Sequence, residues 1–315
     1  MEGDPLMIEL DGLTKAYGGV SALTDVSFTV PTGSVLALLG HNGAGKTTAV
    51  QILSTLIPPT GGRATVAGYD VVGQADQVRD SIGVTGQSAS LDNVITGRQN
   101  LTLFGRLRGM RRKEARRRAD ELIAQFELDH AADRPVSTYS GGMRRRLDIA
   151  AALVVTPQVL FLDEPTTGLD PRSRRQVWEL VSELATQGVT VLLTTQYLEE
   201  ADVLSDSIVI LNSGRVVAHG TAEELKHQAG ATYCQVTLVR SGDIPRVVAA
   251  LSDIDDVDAD DETNTVSVRA RDGVGTLAEV IRRTDQLGVG LVDISLRKPT
   301  LDEVFLHLST AALTP

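Results

Sequence analysis

Residues 40–48 read Gly-His-Asn-Gly-Ala-Gly-Lys-Thr-Thr, set between the apolar run Val35 to Leu39 and a helix-like stretch from Thr47 to Leu56. A strand that feeds a glycine-rich turn and then a helix can close in few ways. The spacing, one glycine, four residues and then Gly-Lys-Thr, predicts a cradle whose backbone N–H groups turn inward on phosphates, with the positive end of a helix dipole behind them. Gly40, His41, Asn42, Gly43, Ala44, Gly45, Lys46, Thr47 and Thr48 make up that cradle. Glycines at 40, 43 and 45 permit the tight turn, Lys46 reaches the β and γ phosphates of a nucleotide, and the Thr47 hydroxyl ligates Mg2+.

A second segment, Val159 to Glu164, is an apolar strand that ends in two adjacent carboxylates. A strand buried on both faces reads as a continuous apolar run, and an acid at its carboxyl end lies at the sheet edge where phosphates are held. Asp163 is placed to hold Mg2+ through its water shell, and Glu164 to polarise a water that attacks the γ-phosphate.

The third segment, Tyr139 to Leu147, reads YSGGMRRRL. It resembles the LSGGQ signature and following basic helix of ABC-transporter ATPases. The resemblance spreads over the first two-thirds of the chain. Tyr17 resembles the aromatic that stacks on adenine, and Gln87 resembles the Q-loop residue that touches the Mg2+ shell. Gly168-Leu169-Asp170 resembles the D-loop, and Gln196 stands at the switch position. The GHNGAGKTT string, the Gln at 196 and the carboxy-terminal SLRKPTLDEVFLHL, Ser295 to Leu308, are similar to the daunorubicin-resistance family of drug and lipid exporter ATP-binding subunits.

That resemblance implies an α/β fold with a P-loop ABC-type core, a parallel sheet with an added antiparallel β layer and a helical subdomain. The activity implied is ATP hydrolysis with Mg2+, powering export of a hydrophobic drug or lipid through separate integral-membrane permease chains. It also implies a head-to-tail homodimer in which Ser140, Gly141 and Gly142 of one copy meet the γ-phosphate held by the other, so that ATP is part of the interface. The chain would then sit peripherally on the cytoplasmic face of the membrane. Two departures stand out. Tyr139 and Met143 replace the usual Leu and Gln around an intact Ser-Gly-Gly, and Gln196 replaces a histidine, so its amide can donate a hydrogen bond but carries no proton or charge. The rival reading is an ATP-gated regulator or a soluble ABC-type ATPase uncoupled from transport. Against the soluble ATPase stand a single cassette, no heptad array and no cysteine cluster; against the regulator stands the intact Glu164, while Gln196 leaves it open.

Composition agrees with an enzyme subunit. The 315 residues are 42% hydrophobic and 23% charged, enough for one large or two ordinary cores. No apolar run approaches the roughly eighteen residues of a membrane helix, and MEGDPLMIEL lacks a basic-then-apolar signal pattern. A net charge of −11 gives no support to nucleic-acid binding. Within this acidic chain Arg106 to Arg118 is a basic island of seven arginines and Lys113, read either as a solvated helix face or as a contact for a partner or anionic lipid. Cys234, the sole cysteine, sits in an alternating run and is read as a packed thiol.

The pattern divides the chain into an ATP-binding domain at 1–228, with a helical subdomain at about 91–154, and an accessory α+β domain at 229–315. In the latter, strand-like runs Thr232 to Val239, Thr265 to Ala270 and Gly290 to Ser295 alternate with helical segments, suggesting a ferredoxin-like sandwich. The acidic stretch Asp253 to Glu262 reads as an exposed loop without calcium-binding spacing. Leu301, Val304, Phe305 and Leu308 share one helical face, either as core or as a latch to a partner copy.

Overall fold

A computed structural model describes residues 5–86, 91–229, 232–298 and 300–304. The elements, in chain order, begin with β1 (Leu6–Tyr17), β2 (Val20–Pro31), β3 (Val35–Leu39), α1 (Lys46–Leu53), β4 (Gly61–Val66), β5 (Tyr69–Asp70), α2 (Ala75–Ser81) and β6 (Ile82–Thr85). Three helices follow, α3 (Gly97–Leu107), α4 (Arg112–Gln125) and α5 (Gly141–Ala152). The chain continues through β7 (Val159–Asp163), α6 (Pro171–Thr186), β8 (Thr190–Thr195), α7 (Leu198–Leu204), β9 (Ser207–Asn212), β10 (Arg215–Gly220) and α8 (Ala222–Ala229). It ends with β11 (Tyr233–Leu238), α9 (Ile244–Leu251), β12 (Val257–Asp260), β13 (Thr265–Arg269), α10 (Val274–Gln286) and β14 (Leu291–Arg297). Two compact units result, Met1–Ala222 and Glu223–Pro315.

In the first unit a six-stranded sheet runs β10-β9-β3-β8-β7-β6, and a four-stranded antiparallel sheet runs β2-β1-β4-β5. Strands β9, β3, β8, β7 and β6 are mutually parallel, and every residue of β3, β7 and β8 is buried. Burial on both faces explains why these strands read as unbroken apolar runs rather than alternating ones. Register then fixes the site: Leu39 pairs with Thr195, and Asp163 pairs with Thr194, so β3, β7 and β8 end on one edge. Ile8, Leu13, Leu23, Phe28, Ile52 and Phe161 belong to the one core cluster that joins the two sheets across α1. Helix α3 starts in a capping box, with Thr96 accepting from the Gln99 amide and the Gln99 side chain reaching back.

The second unit has the order β-α-β-β-α-β, with an antiparallel sheet β12-β13-β11-β14, the ferredoxin-like arrangement. Cys234, Val236 and Leu238 alternate inward along β11 and pack with Val247 and Leu251 of α9 and Val280 of α10. One expectation is corrected here. Asp253 to Glu262 is not wholly a loop, because Val257–Asp260 forms the edge strand β12, paired with β13 alone. An edge strand needs one partner and no buried polar face, so Asp258 and Asp260 are accommodated in solvent, where such charges also discourage edge-to-edge pairing. Leu301 and Val304 are buried; Phe305 and Leu308 lie outside the described residues.

Candidate functional site

The cradle is held by its own backbone and by two neighbouring segments. The Ala44 amide donates to the His41 carbonyl at 3.1 Å, and the Gly214 amide donates to the Ala44 carbonyl at 3.0 Å. Two glycines are sterically required. Gly45, the N-cap of α1, has φ 108°, and a Cβ there would stand 2.7 Å from the Ala22 carbonyl oxygen. At Gly40 a Cβ would approach the Leu211 carbonyl oxygen to 2.6 Å. His41 is tethered by Nδ1 to the Asn42 carbonyl at 2.7 Å and by Nε2 to Asn212 Oδ1 at 3.1 Å.

Lys46 is buried and donates to the Gly40 carbonyl at 2.7 Å and the His41 carbonyl at 3.2 Å. Its Nζ lies 3.7 Å from Glu164 Oε1. Burial pushes the ammonium pKa below the usual lysine value, while the Glu164 and Asp163 carboxylates oppose that shift. The Thr47 hydroxyl donates to Asp163, at 3.2 Å to Oδ2 and 3.4 Å to Oδ1. Residues 116 positions apart in sequence are thus within one hydrogen bond.

Glu164 follows β7 with φ 47°, a left-handed conformation that costs a side chain about 1–3 kcal/mol and persists only where its surroundings enforce it. The enforcing group on one side is Thr194. Its carbonyl and hydroxyl both receive the Glu164 amide, at 3.1 and 3.0 Å, while the hydroxyl donates to Asp163 Oδ1 at 2.5 Å. Thr194 therefore serves both carboxylate residues at once. Sequence reading passed over it, although two threonines closing an otherwise apolar core strand are a usable signal.

Arg145 was also passed over, as one of three consecutive arginines. Its Nε donates to the Pro165 carbonyl at 2.9 Å, its Nη2 to the Asp163 carbonyl at 3.0 Å, and its Nη1 to the Gly86 carbonyl at 3.0 Å and Asp148 Oδ2 at 3.2 Å. Burial pushes its pKa down, and Asp148, Asp163 and Glu200 oppose the shift. Glu200 is fully buried behind this network and accepts from Trp178 Nε1 at 3.1 Å; burial raises its pKa.

A cavity of about 970 Å3 opens over these groups, lined by Ala22, His41 to Gly43, Gly45 to Thr48, Asn93, Gly141, Arg144, Arg145, Glu164 and Thr167 to Leu169. Cradle, terminal glutamate and signature glycine of one chain thus face one space. Ser140 caps α5, accepting from the Met143 amide at 3.3 Å, and Gly142 is buried in its first turn. Asp170 caps α6, accepting from the Arg172 and Ser173 amides at 3.0 Å each, and the Ser173 bonds lower its pKa. Tyr17 and Gln196 are not among the lining residues. Tyr17 is exposed at the end of β1 with Lys15 Nζ 5.0 Å from its ring centre, and Gln196, half-buried, directly follows β8. Gln87 lies outside the described residues.

Buried Lys46 and half-buried Thr47 stand at the start of a helix, across from Asp163 and Glu164, an arrangement whose chemistry suits a phosphate with an acid beside it. Comparison with known proteins agrees. The ABC transporter family profile matches residues 23–167, and the profile described as the C-terminal domain of DrrA1-3-like ATP-binding proteins matches residues 220–309. The chain is 51% identical to the doxorubicin resistance ATP-binding protein DrrA of Mycobacterium tuberculosis, covering 98% of this chain and 96% of that one. It is also 51% identical to the daunorubicin resistance ATP-binding protein DrrA2 of Streptomyces coeruleorubidus, over 97% and 96%. Among solved structures, the ATP-binding subunit of an ABC transporter superposes with TM-score 0.64 at 31% identity, covering 70% of this chain and 92% of that one. A dimeric, post-hydrolysis structure of the cassette MJ0796 with ADP and phosphate gives TM-score 0.63 at 27% identity, covering 68% and 98%. The chain is an ATP-hydrolysing cassette and belongs to the ABC-transporter ATP-binding proteins of the daunorubicin- and doxorubicin-resistance family.

Proposed function

We propose that this chain is the subunit whose ATP hydrolysis energises export of a hydrophobic drug or lipid through separate membrane permease chains, working as a dimer on the cytoplasmic face of the membrane. The observation that carries the reading is the convergence of Lys46, Thr47, Asp163 and Glu164 in a fold whose relatives, matched over nearly their full length, are named for doxorubicin and daunorubicin resistance. No helix among the described residues is long and apolar enough to cross a membrane.

Lys46 and the cradle amides bind and orient the phosphates; ATP supplies the phosphoanhydride bond. Glu164 takes the proton of the attacking water, and its carboxylate is within reach of Lys46, which neutralises charge as the γ-phosphate departs. The Thr47 hydroxyl and the Asp163 carboxylate would hold Mg2+. Both are hard oxygen donors, the kind that Mg2+ takes. In the dimer, Ser140 and Gly142 would present the amino-terminal end of α5 to the γ-phosphate of the other copy. Gln87, Gln196, Tyr17 and Asp170 are assigned their roles in coupling, γ-phosphate sensing, adenine stacking and, as part of the D-loop, nucleotide binding on family resemblance.

ATP turnover of the protein beside Glu164→Gln, with size-exclusion in ATP and Mg2+, tests the scheme. Wild type should hydrolyse ATP and the variant should accumulate as an ATP-held dimer. A variant that turns over at the wild-type rate removes Glu164 from the chemistry, and one that binds ATP yet stays monomeric removes the shared site.

A further inference from the structure

Glu164 sits in a strained turn whose amide is fastened by Thr194, and an amide alone does not fix a turn. The carbonyl before it, of Asp163, and the carbonyl after it, of Pro165, both point to one group. That group is the Arg145 guanidinium, at 3.0 and 2.9 Å, on the second turn of the helix that Ser140 caps. Its planar fork offers N–H donors in fixed directions, and all three nitrogens are engaged: Nε and Nη2 on the carbonyls flanking Glu164, and Nη1 on the Gly86 carbonyl and Asp148, so aligned that the plane cannot rotate. With the side chain only 12% exposed, water cannot substitute for these bonds.

We propose that Arg145 is a positioning residue for ATP hydrolysis: by clasping the main chain on both sides of Glu164 it holds that carboxylate in line with the attacking water and ties its turn to the signature helix and to the chain just before Gln87. The arrangement is a mechanical link. A displacement of α5 or of Gly86 pulls on the carbonyls beside Glu164, so hydrolysis responds to both segments, while nucleotide affinity, which rests on Lys46 and the cradle, does not. Neighbouring Arg144 and Arg146 have no such reach; Arg146 bonds the Phe126 carbonyl, and Arg144 the Val136 carbonyl.

The inference rests on Glu164 acting as proposed above, and the test separates the two. Single-turnover hydrolysis and ATP affinity are measured for wild type, Arg145→Met, Glu164→Gln and the double variant. Arg145→Met should lower the hydrolysis rate about 10- to 100-fold, the cost of a misplaced catalytic group, with ATP affinity preserved. In the Glu164→Gln background it should add no further loss. Arg145→Met at the wild-type rate, a rate loss matched by an equal loss of affinity, or losses that multiply in the double variant would each overturn the proposal. If Glu164→Gln alone turns over normally, the role of Glu164 falls, whatever Arg145 does. Should Arg145→Met not fold, Arg145→Lys serves: a single ammonium nitrogen cannot occupy the three positions from which Nε, Nη1 and Nη2 each reach a different carbonyl, so it should bind ATP and hydrolyse slowly, and full activity would overturn the clasp.

Discussion

The two units bury their polar groups in opposite ways. The edge of the first sheet buries Lys46, Asp163, Thr194, Thr195 and Glu200, with Arg145 alongside. The second unit, among its described residues, has only Thr265, Thr276 and Thr284 as buried polar residues, and its pairs Arg282–Glu279 and Arg283–Asp253 each keep one exposed member. Burying a charge is costly unless it is paired and hydrogen-bonded. The first unit carries that cost at the edge proposed to handle phosphates and a water; the described part of the second unit is held by an apolar core. Changes in the first should therefore show in turnover, and changes in the second in stability.

The largest effect tests the first half of that contrast. Lys46→Ala removes the buried cation beside the Asp163 and Glu164 carboxylates and leaves Glu164 without its ion-pair partner. Hydrolysis should fall about 10²- to 10³-fold, as when one donor to a developing charge is lost, and nucleotide binding followed by fluorescence titration should fall with it. That joint loss contrasts with Arg145→Met, where affinity stays.

Thr194→Val keeps the volume and the β-branched shape but deletes the hydroxyl that donates to Asp163 and receives the Glu164 amide. An unpaired buried group costs about 1–3 kcal/mol, so the melting temperature should drop. Turnover should drop about tenfold or more as Glu164 shifts. Normal turnover with lowered stability would move Thr194 from the site's support to the core.

Leu251→Ala addresses the second half. Leu251 is fully buried between α9 and the second sheet. Its truncation should cost about 2–5 kcal/mol while ATP turnover, measured below the melting transition, stays at the wild-type rate. Cys234 reports on the same core. Burial pushes its thiol up to about 11, so it should react with a disulfide reagent only when this unit opens, and faster in Leu251→Ala. A turnover loss in this variant would break the contrast.

What the sequence displayed and what it hid follow the same division. Lys46, Thr47, Asp163 and Glu164 could be singled out because each sits in a contiguous string whose residue types phosphate chemistry demands, and the structure brings the four together. The strands β3, β7 and β8 were legible as unbroken apolar runs. Arg145 and Thr194 were not, because their meaning comes from carbonyls and carboxylates brought near only by parallel pairing; among three adjacent arginines nothing local marks the middle one. Strand β12 was hidden for another reason. Its acidic composition suits a loop, and only its place at the sheet edge makes Val257–Asp260 extend. Ser140 and Asp170 gained a structural role that spacing alone obscured, each capping the helix it precedes.

The smallest expected effect is a pH dependence confined to the second unit. Glu279 accepts from Arg282 Nε at 2.9 Å and Arg283 Nε at 2.6 Å, and these bonds hold its pKa down at about 2, from an ordinary 4.5. A carboxylate with a depressed folded pKa contributes stability that is complete above its unfolded value and is lost as pH falls through the folded one. The window here is therefore about pH 4.5 down to 2. The cluster is at the surface, so salt screens it and the effect is modest. Asp253, on Arg283, is depressed too and adds to the same slope. Between pH 5 and 3, opening of the second unit, read from the rate at which dithiodipyridine reaches Cys234, should rise in wild type. In Glu279→Gln the rate should start higher and rise less, so the two curves converge at low pH. Parallel curves would mean that the two arginines do not depend on the Glu279 charge, and that the second unit owes its stability to its apolar core alone.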